Sequence, residues 1–177
     1  PKETSGRKQV DITGLIGQYA HGNEPSHHMA YLYNYIGKPH KTQARIHEIM
    51  ATMYTAKPDG LSGNEDCGQM SSWYVLSAMG FYSVTPGQDY YTFGTPVFKT
   101  ASIHLENGNT FTITANNLSS KNHFISSIKL NGKEHNKTYI KHQDILNGGT
   151  LAFNMTNNQN DHNGIFEPPV SNIEIKD

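Results

Sequence analysis

The sequence is short of cysteine: Cys67 is the one thiol in 177 residues, which excludes an intrachain disulfide and any cysteine-built zinc site. It also lacks a surplus of positive charge. With 14 Lys and Arg against 15 Asp and Glu, the net charge is −1, so no cationic field draws the chain to phosphate backbones, and nucleic acid is not the expected partner. No run of about 18 apolar residues exists to span a membrane, and no basic-then-apolar leader stands at the start. A soluble chain is expected. It opens on Pro1 rather than Met, as a processed or excised piece would, so compartment is not read from a leader.

Aromatic residues are plentiful. Hydrophobic residues make up only 35%, yet ten Tyr, seven Phe and one Trp supply bulky core material and the faces that line pockets for polar ligands with apolar patches. Composition therefore leans towards a polar small molecule.

Residues 1–100 and residues from 101 onward follow different periods. In the first unit Ile46, Ile49, Met50, Met53 and Tyr54 repeat at the spacing of an amphipathic helix, with Pro39 at its start. Pro25 suits the first turn of an earlier helix through Ala30-Tyr31-Leu32-Tyr33, ending at Gly37 in a left-handed cap. A third helix, through Trp73-Tyr74-Val75-Leu76 to Gly80, is apolar nearly all round and is expected to be buried on most sides. Three such helices fit one arc of a helical barrel or bundle.

From residue 101 the pattern alternates. Ile103 and Leu105, then Phe111, Ile113 and Ala115, then Ile128 and Leu130, then Leu151, Phe153 and Met155 read as half-buried strands. The turns Asn107-Gly108-Asn109, Asn131-Gly132 and Asn147-Gly148-Gly149 punctuate them. The fold class is α+β: helices over 1–100, then an antiparallel sheet or small sandwich over 101–177, with a last strand at Ser171 to Ile175.

Two short segments can carry chemistry. Asn64, Glu65 and Asp66 put three oxygen-bearing side chains in the loop that opens the third helix. Asp66 followed by Gln69 reads as a helix-capping box. Equally, one carboxylate can project into a pocket, kept ionised by the positive end of the helix, as a general base acting on water must be. In the other segment, Asn23 and Glu24 precede Pro25, which keeps Glu24 out of helical conformation. Their oxygens suit calcium, which takes six to eight oxygen ligands, but cannot complete such a site alone. An ordinary helix start accounts for them as well. His27 and His28 diverge by about a hundred degrees on a helix, so sugar-binding donors fit better than a two-His metal clamp, and either can be a hydrogen-bonded core residue.

Together these segments resemble a known family. Gly22-Asn23-Glu24-Pro25-Ser26-His27-His28, Tyr31-Leu32-Tyr33-Asn34-Tyr35, Pro39 with Lys41-Thr42-Gln43, the run Pro58 to Ser71, Trp73-Tyr74 and Gly80-Phe81-Tyr82 are similar to the bacterial exo-α-mannosidases of glycoside hydrolase family 92. The resemblance is specific over about residues 15–100. It implies the end of an (α/α)6 barrel and inverting, calcium-assisted release of terminal mannose, with an α-1,2 linkage, from oligosaccharides. It implies Asp66 as general base, Asn23 and Glu24 at the calcium and mannose site, and Asn64, Glu65, His27 and His28 as neighbours contacting substrate. Many members carry an acidic residue where this chain has Asn64, which leaves that position a supporting contact. The general acid of the family lies upstream, so the upstream part of the same enzyme is an expected partner, the isolated chain is expected to be inactive, and a periplasmic or extracellular location follows. A non-catalytic carbohydrate-binding module and a purely structural C-terminal domain are the competing readings.

Overall fold

The structure is a computed structural model that describes residues 12–161 and 167–170. The expected strand from Ser171 to Ile175, and His162, lie outside the described residues.

The first half begins with a hairpin, β1 (Leu15–Ile16) against β2 (Tyr19–Ala20). Two 3-10 segments follow, Glu24–Ser26 and Met29–Ile36. The α-helix expected from Pro25 to Gly37 is thus corrected to 3-10 geometry, although Gly37 ends it in the left-handed conformation as expected, at φ 68°. A period of three explains the burial: Tyr31 and Asn34 point inward while Met29 and Leu32 face out. Tyr31 donates or accepts at Ser77 Oγ over 2.7 Å, and Asn34 Nδ2 donates to the Phe93 carbonyl at 2.7 Å.

Helix α1 (Pro39–Thr52) has Pro39 in its first turn and buries Ile46, Ile49 and Met50. Helix α2 (Gln69–Met79) ends at Gly80, whose φ is 103°. It buries Met70, Trp73, Ser77 and Ala78 but leaves Val75 54% exposed, so the expectation of burial on most sides is corrected to burial on one. Tyr31, Ile46, Ile49, Met50, Trp73 and Ala78 form the helical core. Each fully buried large side chain contributes roughly 1.5–3 kcal/mol.

Two sheets complete the fold. Strands β3 (Phe81–Tyr82), β4 (Tyr90–Phe93) and β9 (Tyr139–Lys141) make a small antiparallel sheet. The larger sheet uses β5 (Thr100–His104), β6 (Thr110–Asn116), β7 (Phe124–Leu130), β8 (Lys133–Glu134) and β10 (Gly149–Thr156), in the order β5-β6-β10-β7-β8. A short helix, α3 (His142–Leu146), leads into β10. Leu151, Phe153 and Met155 of β10 pack with Phe81, Phe93, Phe111, Ile113, Ile125 and Ile128 in a second core.

The expected all-antiparallel arrangement is corrected here, because β10 runs parallel to β6 and antiparallel to β7. The long excursion between β6 and β10 frees the last strand to insert between its predecessors instead of pairing with the one before it. The result is a mixed sheet with β10, which buries Leu151, Phe153 and Met155, at its centre. Among the described residues no helix is long and apolar enough to cross a membrane.

Candidate active site

The two motif segments meet through glycine. A Cβ on Gly63 would lie 2.9 Å from the Gly22 carbonyl oxygen, and one on Gly22 would lie 2.9 Å from the Ser62 carbonyl oxygen and 2.0 Å from Thr13 Oγ1. Only glycine allows this approach, and Gly63 also holds φ at 80°. The loop of Asn23 and Glu24 is therefore pressed against the loop of Asn64 to Asp66.

His27 ties both loops to the helical core. Its ring is 1% exposed. Nε2–H donates to the His21 carbonyl at 2.9 Å, and Nδ1 accepts from Gln69 Nε2–H at 3.0 Å. The second Gln69 N–H reaches the Tyr82 hydroxyl at 3.1 Å, and Trp73 Nε1–H donates to the His27 carbonyl at 3.2 Å. Burial lowers the pKa of His27, while its bond to the His21 carbonyl and the carboxylates of Glu24 and Asp66 pull it back up. Those two carboxylates, one from each motif segment, thus act on a single imidazole. With both ring nitrogens occupied, His27 orients the loops from within, and His28 beside it is half-buried.

Beneath them is His21, a residue that neither motif reading selected. It is wholly buried against Trp73, with ring centroids 4.4 Å apart. Tyr54 O–H donates to the Met70 carbonyl at 3.2 Å, so its oxygen accepts from His21 Nε2–H at 2.6 Å, and Tyr19 O–H donates to His21 Nδ1 at 2.7 Å. Desolvation, with a smaller push from His27, takes the His21 pKa down to about 3. The imidazole is neutral at physiological pH. Burial raises the Tyr19 and Tyr54 phenols, which stay protonated and keep donating. No local pattern marks it: β2 ends at Ala20, itself buried, so strand alternation would turn His21 outward, and its burial comes from Tyr19, Tyr54 and Trp73 packed around it.

At the mouth, Asp66 is exposed and takes a left-handed conformation, φ 54°, as does Cys67 at 56°. The capping box expected of Asp66 and Gln69 is corrected: the residue before α2 is Gly68, with no side-chain cap. Glu65 fills that place instead, its Oε1 accepting from the Ser71 backbone N–H at 3.1 Å and its Oε2 from the Ser71 hydroxyl at 3.0 Å. Asp66 is left free to point outward because its neighbour satisfies the helix end.

Asn23 and Glu24 also escape a capping role. Asn23 has extended backbone, φ −122°, and makes no side-chain cap bond. Both side chains keep oxygen donors of the hard kind that calcium prefers, so they fit part of a calcium site. Among the described residues no three His, Cys, Asp or Glu side chains gather closely enough to hold an ion by themselves. Nor do the larger depressions enclose this face. One of about 340 Å³ is lined by Ile16, Tyr19, Met29, Tyr33 and Ile49, and one of about 460 Å³ by Tyr54, Pro58, Leu61, Ser71 and Tyr74.

Against known protein families, residues 2–157 match the Glycosyl hydrolase family 92 catalytic domain. The chain belongs to glycosyl hydrolase family 92. It is 38% identical over 137 residues to a protein of Arthroderma benhamiae described as an uncharacterized secreted glycosidase, covering 76% of this chain and 18% of that one. Among solved structures, a family GH92 alpha-mannosidase of Bacteroides thetaiotaomicron in complex with mannoimidazole superposes with a TM-score of 0.81 at 44% identity, over 84% of this chain and 20% of the other. An inverting mannosidase of the same family and species superposes at 0.75 and 39%, over 85% of this chain and 21% of the other. The chain therefore spans about a fifth of the length of these family 92 relatives.

Proposed function

We propose that this chain is the part of an exo-acting α-mannosidase that carries the general base and one wall of the sugar site. The observation behind this reading is the contact of Gly22 with Ser62 and Gly63, which brings the segment that carries Glu24 against the segment that carries Asp66. Two carboxylates from distant sequence positions do not need to share a surface if each merely starts a helix.

In this reading Asp66 takes a proton from the attacking water. Glu65 holds the loop by its bonds to Ser71 and leaves Asp66 exposed to the water it would act on. Asn23 and Glu24 contribute oxygens to calcium and sugar hydroxyls, with Asn64 and His28 beside them. Calcium, when bound, supplies charge that polarises the sugar hydroxyls and favours the oxocarbenium-like transition state. His27 and Gln69 keep the two loops in register.

An inverting reaction needs an acid about 6.5–9.5 Å from the base, and we place that acid in the upstream part of the enzyme, together with the rest of the (α/α)6 barrel. The open face around Asp66 is what an active site divided between two parts of one polypeptide requires. The substrate is a mannose oligosaccharide with a terminal α-1,2 link, the isolated chain is inactive, and the enzyme is exported to the periplasm or medium, in keeping with a relative described as secreted.

The test is Asp66→Asn in the complete enzyme. Loss of the base is expected to lower kcat on an α-mannoside by about 10²–10⁴ with little change in KM, and chelation should abolish hydrolysis until calcium is restored. A kcat within about tenfold of wild type would remove Asp66 from the role of base.

A further inference from the structure

Apart from both motif loops, the β-rich half contains a pocket of about 290 Å³ lined by Leu130, His135, Lys137, Tyr139, Lys141 and Asp144. Leu130 and the Tyr139 ring give it apolar walls. Lys137 Nζ stands 5.5 Å from the centre of the Tyr139 ring, a cation–π contact that restrains an otherwise mobile side chain. His135 Nε2–H donates to the Tyr139 carbonyl at 2.8 Å, which fixes the imidazole and leaves Nδ1 without a hydrogen bond among the described residues.

The pocket's charge is unbalanced. Among the described residues Asp144 is the one carboxylate lining it, and its Oδ2 accepts from the Lys141 backbone N–H at 3.3 Å. Glu134, next to His135, is paired with Lys129 at 3.2 Å. Among the described residues neither Lys137 nor Lys141 is ion-paired. Within the lining, two ammonium groups stand against one engaged carboxylate, and Glu167, bridged to Lys137 through its backbone, makes no ion pair with either lysine, so the concave face itself is positive and its low-dielectric walls strengthen that field. A volume at the lower end of the usual range for ligand pockets, about 300–1,000 Å³, suits one sugar ring better than a chain of them.

We propose that this pocket binds a sugar-sized anion, whose carboxylate or phosphate ester lies between Lys137 and Lys141 while its ring contacts Leu130 and Tyr139. None of these residues belongs to the loops of Glu24 and Asp66, so the site stands independently of the hydrolase reading. Restraint of Lys137 and His135 before binding lowers the entropy lost on capture.

Calorimetric titration of the protein with glucuronate, glucose 6-phosphate, inorganic phosphate and glucose tests it. Saturable binding of glucuronate or glucose 6-phosphate is expected, the tighter of the two naming the carboxylate or the ester as the natural group. Glucose should give no saturation, and affinity should fall at least about fivefold between about 50 and about 300 mM NaCl. The K137Q/K141Q double variant should lose at least about tenfold in affinity, with an unchanged circular dichroism spectrum, while Lys129→Gln binds as wild type. If the double variant does not fold, Lys141→Gln alone should still weaken binding about threefold or more. Three results overturn the proposal: no saturation by either sugar anion at about 10 mM, unchanged affinity in the folded lysine variants, or inorganic phosphate binding as tightly as both sugar anions.

Discussion

Acidification should destabilise this fold through the buried imidazole of His21. Its pKa in the folded chain is about 3, against 6.5 for the free group. Between those values the unfolded chain holds a proton that the folded chain does not, so stability is lost as pH falls below about 6.5. One such proton is worth about 1.4 kcal/mol per pH unit, and from pH 7 to pH 5 the loss from His21 alone comes to about 2 kcal/mol. Burial also lowers His27, His47 and His123, which adds loss of the same sign. Comparison of wild type with His21→Gln isolates the single group, because the other three titrate in both. Urea unfolding at pH 7, 6 and 5 gives the free energies. The variant should be less stable at pH 7, having lost bonds to Tyr19 and Tyr54, and the gap should close by about 2 kcal/mol at pH 5. Parallel pH dependences for the two proteins would refute the assignment of a depressed pKa to His21.

Two further substitutions probe how the loops are held. Gly63→Ala places a Cβ against the Gly22 carbonyl at a φ of 80°, and should destabilise the protein by about 2 kcal/mol in urea unfolding while lowering kcat of the complete enzyme, with the two motif segments forced apart. Glu65→Gln keeps the shape but weakens the charge-assisted bonds to Ser71; about 1 kcal/mol of stability should be lost, with kcat within about threefold of wild type, separating the role of Glu65 from that of Asp66.

Helices α1 and α2, the end of the 3-10 segment at Gly37 and four of the strands were legible because their signals are local, whereas the short α3 was not. Pro39 in a first turn, glycines ending the helical segments at Gly37 and Gly80, and the alternations ending in Leu151, Phe153 and Met155 each depend on neighbours in sequence, and each appears in the fold. Features that depend on distant partners were not legible. The parallel pairing of β10 with β6 is decided by where the chain has room to insert, and the strand Tyr139–Lys141 is short and gains its place by pairing with Tyr90–Thr92. The same limit governs the site. Asn23, Glu24 and Asp66 stood out as oxygen-bearing side chains in two loops and through the family resemblance, but Gln69, which looked like half of a capping box, bridges His27 and Tyr82.

The backbone at Asp66 shows why that misreading matters for function. A capping carboxylate must turn back onto the first amides of its helix, and a base must turn away from them. Left-handed conformation at Asp66 and Cys67 costs each non-glycine residue about 1–2 kcal/mol, a cost that persists only if surrounding bonds fix the turn. Those bonds are present: Glu65 to Ser71 on one side, Asp66 carbonyl to the Gln69 N–H at 3.2 Å on the other, and Gly68 at φ 93° completing the reversal. Gln69, the first residue of α2, then locks that helix start to His27 and so to the loop of Asn23 and Glu24. The outward carboxylate is therefore set by contacts within this chain, and in the proposed reading an acid from elsewhere in the enzyme has only to be brought to a base whose position is already determined.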